Sequence, residues 1–334
     1  MSSVSNLLVR LATRLLGGAV MVLVVASFTF YLVHMIPGNP AQAQYNHLLM
    51  LGESPDQAMR QVQVMYGFIP RQPLGTQYLA YMSQLMRLNL GQSISYTGVP
   101  VIRLLLVAAP WTLVVGIAGL LVSFAVGVVL GALAAIRRNT TTGGALTVTG
   151  SLLHGVPQFV VAILLAYLFT TLWPIFPFGG LYGTNVTPGL TGAFLSSVAL
   201  HAVLPVVTYA VSAYGGFMLT MKSSVVSTLG DDFILAAELR GLTPAIRFRY
   251  VARNAILPLF TILALSIGFV FGGSLFIENI FDYPGLGNLI LNAITNTDWP
   301  LMTGAFLIIT AAVIAFNIVA DFLYAVVDPR IRRQ

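Results

Sequence analysis

The sequence contains no cysteine and one lysine, Lys222, in 334 residues, and only 8% of its side chains are charged. The absence of cysteine excludes disulfides, thiolate nucleophiles and Cys-ligated metals. The shortage of charge excludes an ordinary soluble domain, in which about a quarter of residues are charged. Sixteen basic and ten acidic residues cannot clothe the core of such a chain in polar surface. What is present is apolar: 57% of residues are hydrophobic and the mean hydropathy is +0.88. These side chains are expected to face lipid. The net charge of +6 does not point to nucleic acid. The basic residues stand in small clusters beside apolar runs, as the orientation signals of membrane proteins do.

A charged side chain costs about 3 kcal/mol at the centre of a spanning helix, so gaps between charges mark the spans. Six are predicted: Leu15–Ile36, Leu104–Ile136, Ala145–Leu172, Phe194–Met221, Asn254–Ile277 and Leu301–Val327. Arginines precede the first run as in a signal peptide. That run is nonetheless long enough to cross a bilayer, and Pro37-Gly38-Asn39-Pro40 follows it in place of a small-residue cleavage site, so a retained span is expected. Each span must be helical, because a lone segment in hydrocarbon has to satisfy its own backbone groups.

Six spans put both ends on one side. That side holds Arg10, Arg14, Arg137, Arg138, the five basic residues of Lys222–Arg253, and Arg330, Arg332 and Arg333. Only Arg60, Arg71, Arg87 and Arg103 fall opposite, so both termini are expected in the cytoplasm. The expected organisation is a cytoplasmic start and first helix (1–34), an external segment (35–103), a five-helix core (104–327) containing a cytoplasmic loop (223–253), and a cytoplasmic tail (328–334). Amphipathic stretches in the external segment, such as Thr76–Leu88 with Tyr78, Leu79, Met82, Leu85 and Met86 on one face, fit either a cover lying on the bilayer or a docking surface.

Catalytic residues are not found. His34, His47, His154 and His201 lack ligand-like spacing, and none is expected to hold a metal. His34, at the edge of the first span, reads as a satisfied or interfacial histidine. Gly216 to Lys222-Ser223 has only a superficial likeness to a phosphate loop, since Met221 stands where a glycine must approach the phosphates and no strand precedes it. Asp321 is the one candidate for a proton relay inside a span, and a cytoplasmic-end carboxylate held by Arg330 or a neighbouring helix is favoured over that role. A transporter lacking both a relay and a nucleotide site takes its energy from a partner.

The cytoplasmic segment carries the clearest signal. Asp231 and Asp232 open a short helix with its dipole complemented, Gly241 closes it, and Thr243-Pro244 opens a second helix bearing Arg247, Arg249 and Arg253. Ile234, Leu235, Ala236, Ala237 and Leu239 make the first helix unusually apolar for a cytoplasmic loop. Small residues suit insertion into a groove on another protein.

Ala236-Ala237-x-x-x-Gly241 followed by Ile256-Leu257-Pro258 resembles the Glu-Ala-Ala loop of bacterial ABC importer permeases. Leu235 stands at the family's glutamate position, with Glu238 three residues later. Further segments resemble the first permease of oligopeptide and dipeptide importers: Met35–Pro40, Leu88–Ser93, Glu278–Gly287, Asp298-x-Pro300 and Asn317–Ile331. The resemblance implies an all-α ABC importer permease fold in the inner or plasma membrane. It implies a second permease subunit, two ATPase subunits that bind ATP and Mg, an external substrate-binding protein and a peptide substrate. It assigns no cofactor to this chain, and gives Leu235, Ala236, Ala237, Glu238 and Gly241 the role of coupling to the ATPases. The residues of the substrate path stay unassigned. A nickel-chelate or other small-solute importer permease is an alternative, as is a secondary carrier or membrane scaffold.

Overall fold

The computed structural model describes residues 2–35, 39–70, 72–270 and 275–327, with side chains described between 12 and 319 except at Phe269 and in the gaps. Expectations for residues 36–38, for the tail 328–334 and for the side chains of Asp321 and Arg330 fall outside these residues. Helices are the regular secondary structure of the described residues, beside an isolated bridge between Gln92 and Pro100 and loops such as 173–191. In order come α1 (Ser2–Met35), α2 (Pro40–Met50), α3 (Pro55–Tyr66), α4 (Leu74–Met86), α5 (Val101–Ile136), α6 (Thr141–Gly155) and α7 (Gln158–Ala166), the last continued by π-helical turns over Tyr167–Leu172. Then follow α8 (Gly192–Leu229), α9 (Asp232–Leu239), α10 (Pro244–Ala255), α11 (Leu257–Val270), α12 (Leu275–Ile280), α13 (Leu286–Thr295) and α14 (Trp299–Val327). Five helical stretches are long and apolar enough to cross a membrane, and a sixth is obtained if α6 and α7 form one bent crossing.

Two compact units divide the chain: Met1–Pro110 with Asn288–Val319, and Trp111–Gly287 with the remainder from Ala320. In the first unit, α2, α3 and α4 build a small folded module on the end of α1. Its core gathers Phe30, Ala41, Tyr45, Val62, Met65 and Phe68. Asn39 caps α2 with its side chain, and Ser54 and Gln57 form a reciprocal capping box on α3. Helix α4 differs from the expected single apolar face: Gln77 is buried and Tyr78 and Tyr81 pack on the module, whereas Leu79 and Met86 are exposed. Gln77 turns inward because its side-chain amide donates to the carbonyls of Pro70 and Gln72 while its oxygen meets His34 Nε2 at 2.9 Å. His34 is thus a satisfied histidine, its Nδ1 lying 2.8 Å from the Phe30 carbonyl.

In the second unit, α5, α8, α9, α10 and α11 share a core of Leu120, Phe217, Met221, Ile234, Val251 and Leu259. Small residues let the helices approach closely, as they do in membranes. Gly127 and Gly131 of α5 lie against α8 at Phe217, Met218 and Met221, and Gly150 of α6 lies against Met218.

The third predicted span, Ala145–Leu172, is not one straight helix. It breaks between α6 and α7, whose axes differ by 99°. Pro157 causes the break: it has no N–H to donate, and it holds Val156 in an extended conformation (φ −79°, ψ 127°). The fifth span is also shifted. The helical stretch begins at Pro244, so the basic, amphipathic α10 leads directly into the apolar α11.

Candidate functional site

Helix α9 forms with the boundaries its sequence implies, between the end of α8 and the start of α10. Its stop is a Schellman turn: Leu242 N–H donates to the Ala237 carbonyl at 3.2 Å and Gly241 N–H to that of Glu238 at 2.8 Å. Gly241 has φ +72°, where a side chain is strained, although the space around it is open. The N-terminal caps differ from expectation. Asp231 and Thr243 occupy the N-cap positions of α9 and α10 in extended conformation, but neither side chain bonds the first amides.

The five residues assigned to coupling do not share a face. Ala237, with Ile234, is buried against the chain's own helices. Leu235, Ala236 and Glu238 point outward with Phe233 and Leu239, and Leu239 is 80% exposed. A helix of eight residues lying on its own protein must bury one side, and the positions three apart, Ile234 and Ala237, supply it. Glu238 pairs with Arg247 at 2.6 Å, tying α9 to α10. With both partners partly exposed, this pair orients more than it stabilises. The outward face is therefore apolar and bulky, with Phe233, Leu235 and Leu239 around Ala236.

Glu278 and Asp298 both fall between the fifth and sixth predicted spans. Both are fully buried. Glu278, on α12, accepts the Gly287 N–H at 2.7 Å in the first turn of α13, where the helix dipole favours an anion. Leu286 N–H donates to Thr112 Oγ1 at 2.7 Å beside it. A Cβ at Gly285 would collide with the Glu278 carboxylate and the Thr112 hydroxyl, and one at Gly287 with the α12 backbone at Leu275. The two glycines of Pro284-Gly-Leu-Gly287 thus exist to let the chain wrap a buried carboxylate. The Tyr283 phenol in the same turn is pushed up to about 12 by burial and by the nearby Glu278 charge.

Asp298 does the corresponding work in the first unit. It caps α14 through the Leu301 N–H (3.2 Å), accepts the Ser95 N–H at 2.9 Å, and takes a short hydrogen bond from the Ser93 hydroxyl. The segment after α4 is thereby fastened to the head of α14. Gly91, at φ +83°, brings this segment against the Met65 carbonyl, where a side chain would not fit. The signal was in the sequence, since Leu88–Ser93 and Asp298-x-Pro300 were both singled out. Nothing in the residues alone paired them across 205 positions.

Lys222 lies within α8, where its Nζ donates to Thr147 Oγ1 at 2.8 Å, so the Gly216–Ser223 run is helix and not a phosphate loop. No group of three His, Cys, Asp or Glu residues able to hold a metal occurs among the described residues.

Residues 127–333, which run from the middle of α5 past the end of α14, match the family of binding-protein-dependent transport system inner membrane components. The chain belongs to this family. Similarity extends well beyond the matched region. The dipeptide transport system permease protein DppB of Escherichia coli K12 is 31% identical over 330 residues, covering 92% of this chain and 93% of its own length. The di/tripeptide transport system permease protein DppB of Pseudomonas aeruginosa is 28% identical, covering 93% and 94%. The oligopeptide transport system permease protein OppB of Haemophilus influenzae is 28% identical, covering 96% and 97%. As a family member with multiple apolar spans, this chain is a multi-pass inner-membrane transport component. Both α9 with its Gly241 turn and the Glu278–Gly287 wrap lie inside the matched region.

Proposed function

We propose that this chain is a permease subunit of an ATP-driven peptide importer, pairing with a second permease to form the path for peptides delivered by an external binding protein. The observation that carries this reading is the full-length similarity to permeases named for dipeptides, di/tripeptides and oligopeptides. The apolar outward face of α9 supports it as the docking point for one of two ATPase subunits, which bind ATP and Mg and perform the hydrolysis. Burying Leu239 and Leu235 there would contribute about 1.5–3 kcal/mol each.

The proposed topology has six crossings, with both termini and residues 223–253 in the cytoplasm and residues 35–103 outside. Arginine placement supports it. So does the hydrogen bond from Gly180 N–H to the Asp282 carbonyl (3.1 Å), which joins the loop after the third span to the one after the fifth. In this topology the folded module α2–α4 lies outside, and its compact core suits either a cover on the bilayer or a docking surface.

The test is purification of the chain co-expressed with its neighbouring transport genes, followed by peptide uptake in reconstituted vesicles. Two ATPases and a second permease should copurify, and labelled di- or oligopeptides should accumulate only with ATP and the binding protein. Uptake of a nickel chelate without peptide uptake would replace the cargo, and ATP-independent uptake by the chain alone would replace the class.

A further inference from the structure

The break between α6 and α7 lies at membrane depth. Gly215 and Gly216 of α8 pack against Gly150 and His154 of α6, so the end of α6 is level with the part of α8 inside the predicted span Phe194–Met221, about 20 Å from the last residue of α8 at 1.5 Å per residue. The nearest charge on the cytoplasmic side, Lys222, bonds Thr147, seven residues and about 10 Å below His154 at 1.5 Å per residue. Here the helical backbone stops. Val156 is extended, and Pro157, the N-cap of α7, offers no side-chain oxygen to the amides of α7. The N–H groups of Gln158 and Phe159 have no carbonyl one turn back to bond. Yet the break is on the surface of the chain: Ser151, His154, Gly155, Pro157, Gln158 and Phe159 are all exposed.

Irregular backbone at this depth is tolerated only where protein covers it or where it borders a water-filled cavity, never against lipid tails. Two polar side chains, His154 and Gln158, flank it, and in a membrane such residues turn toward water or a partner. Most of the partly or fully exposed side chains beyond it on α7 are bulky, including Phe159, Ile163 and Leu164. Close helix–helix packing calls instead for small residues. We propose that the α6–α7 break borders the hydrated translocation path, with His154, Gln158 and the exposed backbone of 155–158 offering hydrogen bonds to the amide groups of a passing peptide. This inference rests on the reading of the chain as a peptide-importer permease and assigns the substrate path that the sequence left blank.

The cysteine-free chain allows a direct test in the assembled importer, embedded in lipid nanodiscs open to reagent on both faces. Single variants Gln158→Cys and His154→Cys are treated with a charged thiol reagent, and modification of this chain is followed by mass. The exposed Ser54→Cys and the fully buried Met218→Cys set the fast and slow limits. A desolvated thiol loses about tenfold in thiolate for each unit its pKa rises. Both test variants should react at least about tenfold faster than Met218→Cys, and their rates should change when binding protein, peptide and ATP with vanadate are added. Rates as slow as that of Met218→Cys, or rates indifferent to the transport state, overturn the proposal. Peptide-stimulated ATPase activity of the parental importer is measured in the same nanodiscs. If it is present while the thiols stay unreactive, this inference fails and the permease reading stands; if it is absent, the reading of function fails whatever the thiols do.

Discussion

Burying a carboxylate is unfavourable unless hydrogen bonds replace its water, and Glu278 and Asp298 show what the replacement demands of neighbouring residues. Each sits at the first turn of a helix and takes backbone N–H groups, so the anion and the helix dipole satisfy one another. Room for Glu278 comes from the missing side chain at Gly285, which leads to a contrast between adjacent positions. Gly285→Ala forces a methyl into the carboxylate and the Thr112 hydroxyl, and should destabilise the protein by about 1–3 kcal/mol. Tyr283→Phe removes a buried hydroxyl that has no hydrogen-bond partner among the described residues, and should leave stability unchanged or slightly raised. Thermal unfolding midpoints in nanodiscs decide the matter, and a Gly285→Ala midpoint equal to the parental one would show that the wrap does not need its glycine. None of this was legible in the residues alone. An acidic residue between two spans reads as solvated, and only the fold, which sets Glu278 against the Gly287 N–H beside Thr112 and Asp298 against Ser93, reveals that these two are not.

At the scale of the element, α9 was legible because its signals are local. The acidic start, the apolar run and Gly241 lie within eleven residues, and the chain bends where they say it should. The direction the helix faces was not legible, because it depends on α8, α10 and the Arg247 pairing. That direction changes which substitutions should uncouple transport. Leu239→Asp puts a charge on the outward face and should leave the chain's abundance and folding intact. Losing a buried leucine forfeits about 1.5–3 kcal/mol of docking, a tenfold or greater loss of ATPase binding. Gly241→Val strains a residue at φ +72° by about 1–2 kcal/mol and should mis-aim the same face. Ala237→Trp, by contrast, acts inside the chain and should lower its accumulation before any question of docking arises. Copurification of the ATPases with each variant, normalised to permease recovered, separates the three. Normal ATPase recovery and uptake with Leu239→Asp would remove α9 from the interface.

For the whole molecule, the number of crossings turns on the bent pair α6 and α7. Hydropathy located the stretches long enough to cross, though not the short apolar α13, and a 99° bend is invisible to it, since α6 and α7 are apolar on both sides of Pro157. Were the pair re-entrant, residues 173–191 would return to the side of Arg137 and Arg138. Helix α8 would then run the other way and place α9 and the basic α10 outside. The placement of the basic residues opposes this. Helix α8 has 38 residues, about 57 Å at 1.5 Å each, so its ends lie on opposite sides of a hydrocarbon core about 30 Å thick. Its first end adjoins the loop that Gly180 fastens to Asp282, and its last turns carry Lys222 and lead into α9 and four arginines. In the proposed topology, with this basic end and Arg137 and Arg138 in the cytoplasm, the 173–191 loop lies outside and the bent pair crosses. Single cysteines test this on intact cells with a membrane-impermeant thiol reagent that reaches the outer face of the inner membrane. Asn185→Cys and Ser54→Cys should label in intact cells, and Thr243→Cys only after the membrane is disrupted. Labelling of Asn185→Cys that requires disruption would make the pair re-entrant, reduce the crossings to five and put the two termini on opposite sides.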